Sequence, residues 1–145
     1  MPTLERVVNS RVATPSMVLI PADLASIAVV RAAIRDALIT AGWNGDAAQR
    51  VVLATSEATA NAVEHGSRPG ELVEIVYQVT EEEATVRICD SGGDRPWDHR
   101  SEPPRPDQHA SRGRGLALIY ALAQSVEARR AGRGTELRLD FSRAV

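Results

Sequence analysis

The stretch from Glu57 to Gly66 constrains the fold of this chain most, because it places a regular polar row on a small, apolar helix surface. It follows the apolar run 51–54, and in a helix Glu57, Asn61 and His65 lie at i, i+4 and i+8 on one face. An asparagine inside a helix costs about 0.5 kcal/mol relative to alanine. The row therefore either lines a cavity that holds something polar or faces solvent.

The acid and the amide are the chemically informative members of this row. Glu57 is suited to act as a general base or to orient a water molecule. Asn61 offers a neutral oxygen to a hard cation such as Mg²⁺, which keeps several waters and accepts few protein ligands. Both roles require that the row faces a cavity.

The composition is that of one soluble domain. At 145 residues, with 43% hydrophobic and 25% charged residues, the chain is long enough to bury a core. Aromatic residues make up only 3%, so we expect a core of Val, Leu, Ile and Ala. The net charge of −2 gives no reason to expect nucleic acid as the main partner.

No targeting or membrane signal is visible in the sequence. Residues 1–6 lack a basic region followed by an apolar stretch, and no apolar run approaches the roughly 20 residues that span a bilayer. The single Cys89 excludes an internal disulfide and a multi-cysteine zinc site, and we expect a small buried hydrophobe rather than a nucleophile. A cytoplasmic protein without membrane contact is expected.

The absence of lysine limits the ways in which this chain can hold phosphate. All 17 basic residues are arginine. A Walker-type loop needs Gly-Lys-Ser/Thr and a protein-kinase-type site needs a strand lysine, so both are excluded. If the chain binds a nucleotide, backbone amides, a metal ion and arginines must hold the phosphates.

The first half of the chain predicts one strand and two helices. Residues 17–20 form a short strand. Asp23 can cap the first helix, which Gly42 ends, and Asp46 is placed to cap the second helix, which carries the polar row and ends at Gly66. The predicted face of the first helix, at spacings of three or four residues, is Leu24, Ile27, Arg31, Ile34 and Leu38.

The second half predicts two hairpins separated by a helix. Strands 72–79 and 84–89 join through a tight acidic turn, and strands 126–130 and 135–141 through a glycine-rich turn. A mostly buried helix covers 116–123. We therefore expect an α+β fold: a two-layer α/β sandwich over a single domain 1–145, with a mixed, mostly antiparallel sheet and helices on one face.

The segment 91–112 differs in character from the rest of the chain. It is charged, has almost no apolar residues and holds half of the 8 prolines. A stretch of this length without secondary structure is usually functional or disordered. Trp97 within it is either a packing anchor or a partner contact.

Three glycine clusters follow the polar row. Asp90 and Gly92 come just after a strand, where a carboxylate can accept a hydrogen bond from an exocyclic amine and glycine lets the backbone approach a flat ligand. The alternative is ordinary turn chemistry. The cluster 112–115 precedes a helix, where free N–H groups and arginines favour phosphate, and its alternative is a flexible hinge. The third cluster, Gly134-Thr135, opens the last strand.

The order of these motifs resembles the GHKL ATPase superfamily of gyrase, Hsp90, histidine kinases and MutL. Glu-x-x-x-Asn-x-x-x-His on a helix, Asp-x-Gly after a strand, a long loop, Gly-x-Gly before a helix and a final Gly-Thr strand run from Glu57 to Thr135. The short domain and the motif 57–66 are most similar to the anti-sigma-factor branch of RsbW- and SpoIIAB-type serine kinases. The resemblance implies a Bergerat fold that binds ATP and Mg²⁺, with 91–112 as the ATP lid.

The resemblance also implies a role for each matched residue. Glu57 takes the position of the general base, Asn61 that of the Mg²⁺ ligand, and His65 that of an edge residue. Asp90 matches the carboxylate that contacts the adenine amine, with Gly92 beside it. Arg112 is also the nearest candidate for a residue that assists phosphate transfer. The remaining nucleotide-binding positions are Arg112, Gly113, Arg114, Gly115 and Leu116 at the phosphates, and Thr135 near the adenine.

The implied function is that of an ATP-dependent protein serine/threonine kinase acting as an anti-sigma factor. Such a protein binds a sigma factor and phosphorylates an anti-anti-sigma factor of the STAS type. A homodimer formed through the first helix and the early strand is expected, with no direct contact to nucleic acid. Two other hypotheses are a non-catalytic module that binds a sigma factor, with ATP structural or absent, and a detached phosphorelay domain, which the lack of a dimerisation segment carrying a phosphoacceptor histidine disfavours.

Overall fold

The computed structural model describes residues 14–92 and 113–144, with the side chains of 113–115 left undescribed. The described residues form three helices, five strands and one short 3₁₀ turn. They are β1 (Ser16–Pro21), a 3₁₀ turn (Leu24–Ser26), α1 (Ile27–Thr40), α2 (Gly45–Glu64), β2 (Leu72–Val79), β3 (Glu83–Cys89), α3 (Gly113–Leu122), β4 (Ser125–Ala131) and β5 (Gly134–Ser142).

The five strands form one open sheet in the order β1-β2-β3-β5-β4. All four strand pairs are antiparallel, so the predicted mixture with parallel pairing is wrong for the described strands. Both predicted hairpins are present. The acidic turn between β2 and β3 is closed by Thr80, whose N–H donates to the Glu83 carbonyl at 2.8 Å and whose hydroxyl accepts from the Glu83 N–H at 3.0 Å.

The core lies between one face of this sheet and the helices, which confirms the predicted two-layer α+β sandwich. Alternate residues of β2 and β3, such as Val73, Ile75 and Val86, are fully buried, whereas their neighbours on the other face are not. Val, Leu, Ile and Ala make up most of the core, as expected. Two aromatic residues join them: Phe141, and Trp43, whose Nε1 donates to the Thr80 carbonyl at 2.7 Å.

The first helix differs from its predicted face at two positions. Val30 is buried where the prediction used Arg31, and Leu24 is 54% exposed because it lies in the 3₁₀ turn before α1. Asp23 does cap that turn, since its Oδ1 accepts the Ala25 N–H at 2.9 Å. The side chain of Asp46 lies inside the first turn of α2 and is not its cap, because the extended residue before the helix is Asn44.

The third helix is amphipathic rather than mostly buried, which corrects the prediction. Ile119 is fully buried, but Tyr120 is 42% exposed. It also begins earlier than predicted, at Gly113. None of the described helices is long and apolar enough to cross a membrane. The predicted lid lies outside the described residues except for Ser91 and Gly92.

Candidate functional site

The polar row of α2 lies at the edge of the core. Glu57 and Asn61 are both half-buried, one helical turn apart, and His65 is the residue that follows the helix end, with its Nε2 3.5 Å from the Glu64 carboxylate. The Nδ2 atom of Asn61 is buried without a hydrogen-bond partner among the described residues. A buried donor left unpaired costs about 1–3 kcal/mol. The side-chain amide of Asn61 is therefore placed to serve a ligand rather than the fold.

Asp90 follows β3 and is held at the start of β5. Its N–H donates to the Thr135 carbonyl at 3.1 Å. Its Oδ1 accepts two backbone N–H groups, from Gly92 and from Thr135, each at 3.0 Å. The structure gives the second oxygen, Oδ2, no hydrogen-bond donor among the described residues. One oxygen is thus fixed by the backbone, and the other remains available as an acceptor.

Burial raises the pKa of the Asp90 carboxyl, and the N–H groups of Thr135 and Gly92 act in the opposite direction. The carboxylate is therefore partly withdrawn from water. A hydrogen bond accepted there is stronger than one at the surface, because the local dielectric is lower.

Two glycines enclose Asp90 so closely that neither position has room for a side chain. A Cβ atom at Gly66 would lie 2.5 Å from Asp90 Cγ, and one at Gly134 would lie 2.5 Å from Asp90 Oδ1. Gly66 directly follows the polar row, and Gly134 is the first residue of β5. The end of α2, the end of β3 and the start of β5 therefore converge on one carboxylate.

Ser67 and Ser91 connect the loop after α2, the end of β3 and the start of β2. The buried hydroxyl of Ser67 accepts the Ser91 N–H at 3.2 Å, and the Ser91 hydroxyl donates to the Leu72 carbonyl at 2.9 Å. Gly92 then turns the chain with a φ of 99°, a conformation that favours glycine. The backbone after β3 is thereby fixed beside Asp90.

The predicted phosphate cluster lies in the first turn of α3 rather than before it. Gly113 is the first residue of the helix, so Gly113 and Gly115 fall where backbone N–H groups have no intrahelical partner, and Leu116 is the fourth residue of the helix. α3 packs against α2, the helix that carries Asn61. Arg112 lies outside the described residues, as does the side chain of Arg114, and the side chain of Leu116 is half-buried.

Cys89 precedes Asp90 but takes no visible part in the site. Burial, together with the neighbouring Glu136 carboxylate, raises the pKa of its thiol to about 11. The thiol is therefore protonated at neutral pH and is a poor nucleophile. Glu136 is itself paired with the Arg129 guanidinium. Cys89 is half-buried rather than buried, and its inertness agrees with the prediction.

The residues that sequence reasoning missed are Gly66, Gly134 and Ser67. The sequence pattern indicates Gly66 only as the end of a motif, Gly134 only as the start of a strand, and Ser67 only as part of a loop. Their shared role depends on contacts to Asp90 or its neighbours, 24 residues away along the chain for Ser67 and Ser91. The local sequence carries no signal for such contacts.

The side chains around Asn61 provide too few metal ligands for a magnesium ion by themselves, so a nucleotide would have to supply the others. Within the described ranges, no group of three or more His, Cys, Asp or Glu side chains could hold a metal ion. Mg²⁺ usually takes one or two protein ligands together with phosphate oxygens and water. Asn61 would hold the metal through Oδ1, and its unpartnered Nδ2, which is a donor, would suit a phosphate oxygen rather than the metal.

One family model matches most of the chain. The family described as the histidine kinase-like ATPase domain matches residues 20–141. No curated protein is significantly similar to the chain in sequence.

Two solved structures share the fold. The RsbU and RsbW domains of Rv1364c from Mycobacterium tuberculosis have a TM-score of 0.65 at 20% identity, over 88% of this chain and 31% of that one. The histidine kinase domain of the EL346 blue-light activated histidine kinase from Erythrobacter litoralis has a TM-score of 0.50 at 20% identity, over 86% and 62%. At these identities the likeness concerns the fold alone, and the chain spans less than two thirds of either structure.

Proposed function

The chain belongs to the histidine kinase-like ATPase domain family, and we propose that it is an ATP-dependent protein serine/threonine kinase that acts as an anti-sigma factor. The observation that carries the proposal is the carboxylate of Asp90. Its Oδ1 accepts two backbone N–H groups while its Oδ2 has no donor among the described residues, and Gly66 and Gly134 lie too close to Asp90 for either position to carry a side chain.

This arrangement selects a ligand that donates a hydrogen bond. The exocyclic amine of adenine is such a donor, whereas the corresponding oxygen of guanine would face the carboxylate as a second acceptor. A hydrogen bond to a charged group contributes about 1.5–3 kcal/mol. Asp90 thus accounts for a preference for ATP over GTP, with Thr135 and Gly92 holding its orientation.

The phosphates are assigned to the other end of the site. Asn61 would be the protein ligand of Mg²⁺, which when bound neutralises phosphate charge. The backbone N–H groups of Gly113 and Gly115, in the first turn of α3, can donate hydrogen bonds to phosphate oxygens, and Leu116 follows them in the same turn. Arg112 and Arg114 are proposed to add charge-assisted hydrogen bonds, with Arg112 assisting the transfer.

Glu57 is proposed as the general base. It lies four residues before Asn61 on α2, which corresponds to a rise of about 6 Å along the helix axis. In the transfer, the acceptor hydroxyl oxygen forms a bond to the γ-phosphorus, the bond between that phosphorus and the β–γ bridging oxygen breaks, and ADP leaves. The hydroxyl proton goes to the Glu57 carboxylate.

The partner assignments rest on the resemblance of the sequence motifs and on the shared fold. The motif 57–66 resembles that of anti-sigma serine kinases, and one structure of the same fold contains an RsbW domain. We propose a sigma factor as the bound partner, a STAS-type anti-anti-sigma factor as the phosphate acceptor, and a homodimer as the assembly.

Calorimetric titration of the chain with ATP and GTP, each with and without Mg²⁺, tests the nucleotide site first. We expect ATP to bind more tightly than GTP, and Mg²⁺ to strengthen ATP binding. Incubation with γ-labelled ATP and STAS-domain proteins then tests transfer to serine or threonine. ATP binding without transfer to any of them would favour the non-catalytic module, and absence of ATP binding would refute the proposal.

A further inference from the structure

A groove with a volume of about 680 Å³ runs between α1 and α2. The nucleotide site described above shares only Glu57 with it. Its size lies within the range of ligand-binding pockets in proteins. The residues that line it are Arg31, Arg35, Ile39, Trp43, Asn44, Gly45, Ala48, Gln49, Val52, Leu53, Ser56 and Glu57.

The floor of the groove is apolar and exposed. Ile39 on α1 is 61% exposed and Leu53 on α2 is 38% exposed, although both are large hydrophobic residues. Trp43 and Val52 lie beneath them in the core. Apolar side chains that line a concave surface and remain in water favour the binding of a partner.

The rim of the groove is positively charged along α1. Arg31 and Arg35 lie one helical turn apart and lead to Ile39 after another turn. The Nε of Arg31 donates to the Ser56 hydroxyl at 3.2 Å, whereas Arg35 has no hydrogen-bond or ion-pair partner within residues 14–92 and 113–144. Among the lining residues that the structure describes, Glu57 is the one acidic residue. An acidic ligand would therefore complement this rim.

The bond between Arg31 and Ser56 sets the register of the two helices. Glu57 lies at the level of Arg31, and Ile39 lies eight residues further along α1, a rise of about 12 Å. An extended chain covers this distance in about four residues, because each residue advances by about 3.3 Å. A segment in the groove would therefore place one residue at Glu57 and an apolar residue about four positions away at Ile39. Leu53, a rise of about 6 Å from Glu57 along α2, lies between these two points.

We propose that this groove docks an acidic, partly apolar segment of the protein partner that carries the acceptor hydroxyl. An acidic side chain of the segment faces Arg35, an apolar side chain packs on Ile39 and Leu53, and the serine or threonine lies at Glu57. The identification of the occupant as the phosphate acceptor rests on the proposed kinase function. A protein segment suits the groove better than a nucleic acid because the floor is apolar and the chain carries a net negative charge.

The test uses short synthetic peptides and nuclear magnetic resonance of the isotope-labelled full chain. In the first peptide an aspartate lies two residues and a leucine four residues after a serine. In the second peptide the aspartate and the leucine lie at the same distances before the serine. Matched peptides replace the aspartate with arginine. We expect the amide shifts caused by an acidic peptide to cluster on residues 31–39 and 48–57, with no comparable shifts from the arginine peptides.

Two substitutions and one control sharpen the result. Arg35→Glu should lower the affinity for the acidic peptide about tenfold, because attraction is replaced by repulsion. It should raise the affinity for the arginine peptide. Ile39→Asp should lower the affinity for both peptides. Val29→Asp is the control, since Val29 is on α1 and 56% exposed but does not line the groove, so binding should be unchanged. ATP affinity should be the same in all three variants.

Several outcomes would overturn the proposal. These are equal binding of acidic and arginine peptides, no peptide binding, shifts centred outside the groove, or an effect of Val29→Asp as large as that of Ile39→Asp. Concentration-dependent shifts of the groove residues without peptide would assign the surface to a second copy of the chain and would also overturn it. Peptide binding in the groove with no ATP-dependent phosphorylation of the serine would instead refute the kinase function and leave the docking site standing.

Discussion

Replacing Gly66 or Gly134 with alanine should damage the nucleotide site through Asp90. At Gly66 the three atoms nearest to the new methyl carbon belong to the Asp90 side chain, with Cγ at 2.5 Å and Cβ at 2.8 Å. At Gly134 it would also meet the backbone, with the Asp90 carbonyl carbon at 2.7 Å. Non-bonded carbon atoms prefer about 3.5–4.0 Å, so Asp90 must move by about 1 Å in either variant.

Both the stability and the affinity for ATP should fall. Overpacking of this kind costs about 1–3 kcal/mol in the free energy of unfolding. Loss of the hydrogen bond from the adenine amine to Oδ2 would remove about 1.5–3 kcal/mol of binding energy, a decrease in affinity of about ten- to a hundredfold. Thermal unfolding and calorimetric titration with ATP measure the two effects separately.

Gly132→Ala is the matched control, because a methyl group there meets nothing within 4 Å. Its φ of 59° makes alanine unfavourable by about 1 kcal/mol, so stability should fall slightly while ATP affinity stays unchanged. Unchanged ATP affinity in both Gly66→Ala and Gly134→Ala would refute the reasoning, because it would show that Asp90 can move without consequence.

The Asp90→Gly background distinguishes the two clashes. It removes the three atoms that lie closest to a methyl group at Gly66, so Gly66→Ala should then cost much less stability than in the parent. The clash of Gly134→Ala with the backbone at position 90 persists, so that variant should remain destabilised. Equal costs of Gly66→Ala in both backgrounds would mean that the strain arises elsewhere.

Three further predictions concern single side chains. Asn61→Ala should abolish the Mg²⁺-dependent part of ATP affinity, measured by titration with and without the metal, and Mg-ATP binding equal to that of the parent would show that Asn61 is not the ligand. Glu57→Gln should lower single-turnover phosphate transfer by about 10²- to 10⁴-fold with little change in ATP affinity, and near-normal transfer would exclude Glu57 as the base. Cys89 should react slowly with iodoacetamide at pH 8, because its thiol pKa of about 11 leaves little thiolate. Glu136→Gln should lower that pKa and speed the reaction, and fast alkylation of the parent would contradict the assigned environment.

The secondary structure could be predicted well where the signal is local. β2 spans Leu72–Val79 as predicted, because alternating apolar residues and an acidic turn define a hairpin within a few positions. The start of α2 was harder to predict, since Asn44, Gly45 and Asp46 are all compatible with a helix start. The backbone conformation identifies Asn44 as the residue before the helix, because it is extended, with φ −150° and ψ 176°.

The pairing of distant strands and the enclosure of Asp90 could not be predicted from the sequence. β3 pairs with β5, so Cys89 lies opposite Glu136 across a separation of nearly fifty residues. This pairing brings Gly134 against Asp90, and the end of α2 brings Gly66 against the same carboxylate. The motifs identified Asp90 as a candidate, but its neighbours depend on the tertiary fold. The burial of Trp43 likewise depends on the carbonyl of Thr80 in a distant turn.

The locally unfavourable features of this chain are concentrated where α2, β3 and β5 converge. Asn61 has a buried donor without a partner in the described part of the chain, Asp90 is a carboxyl group whose burial raises its pKa, and the two glycines beside it contribute no side chain to the core. Such costs persist where the surrounding structure enforces them, and they occur most often at functional sites. A ligand at a concentration one hundred times its Kd stabilises the folded state by about 2.7 kcal/mol. That gain is comparable with the cost of about 1–3 kcal/mol for one unpaired donor, so nucleotide binding can offset the destabilisation that the site imposes on the fold.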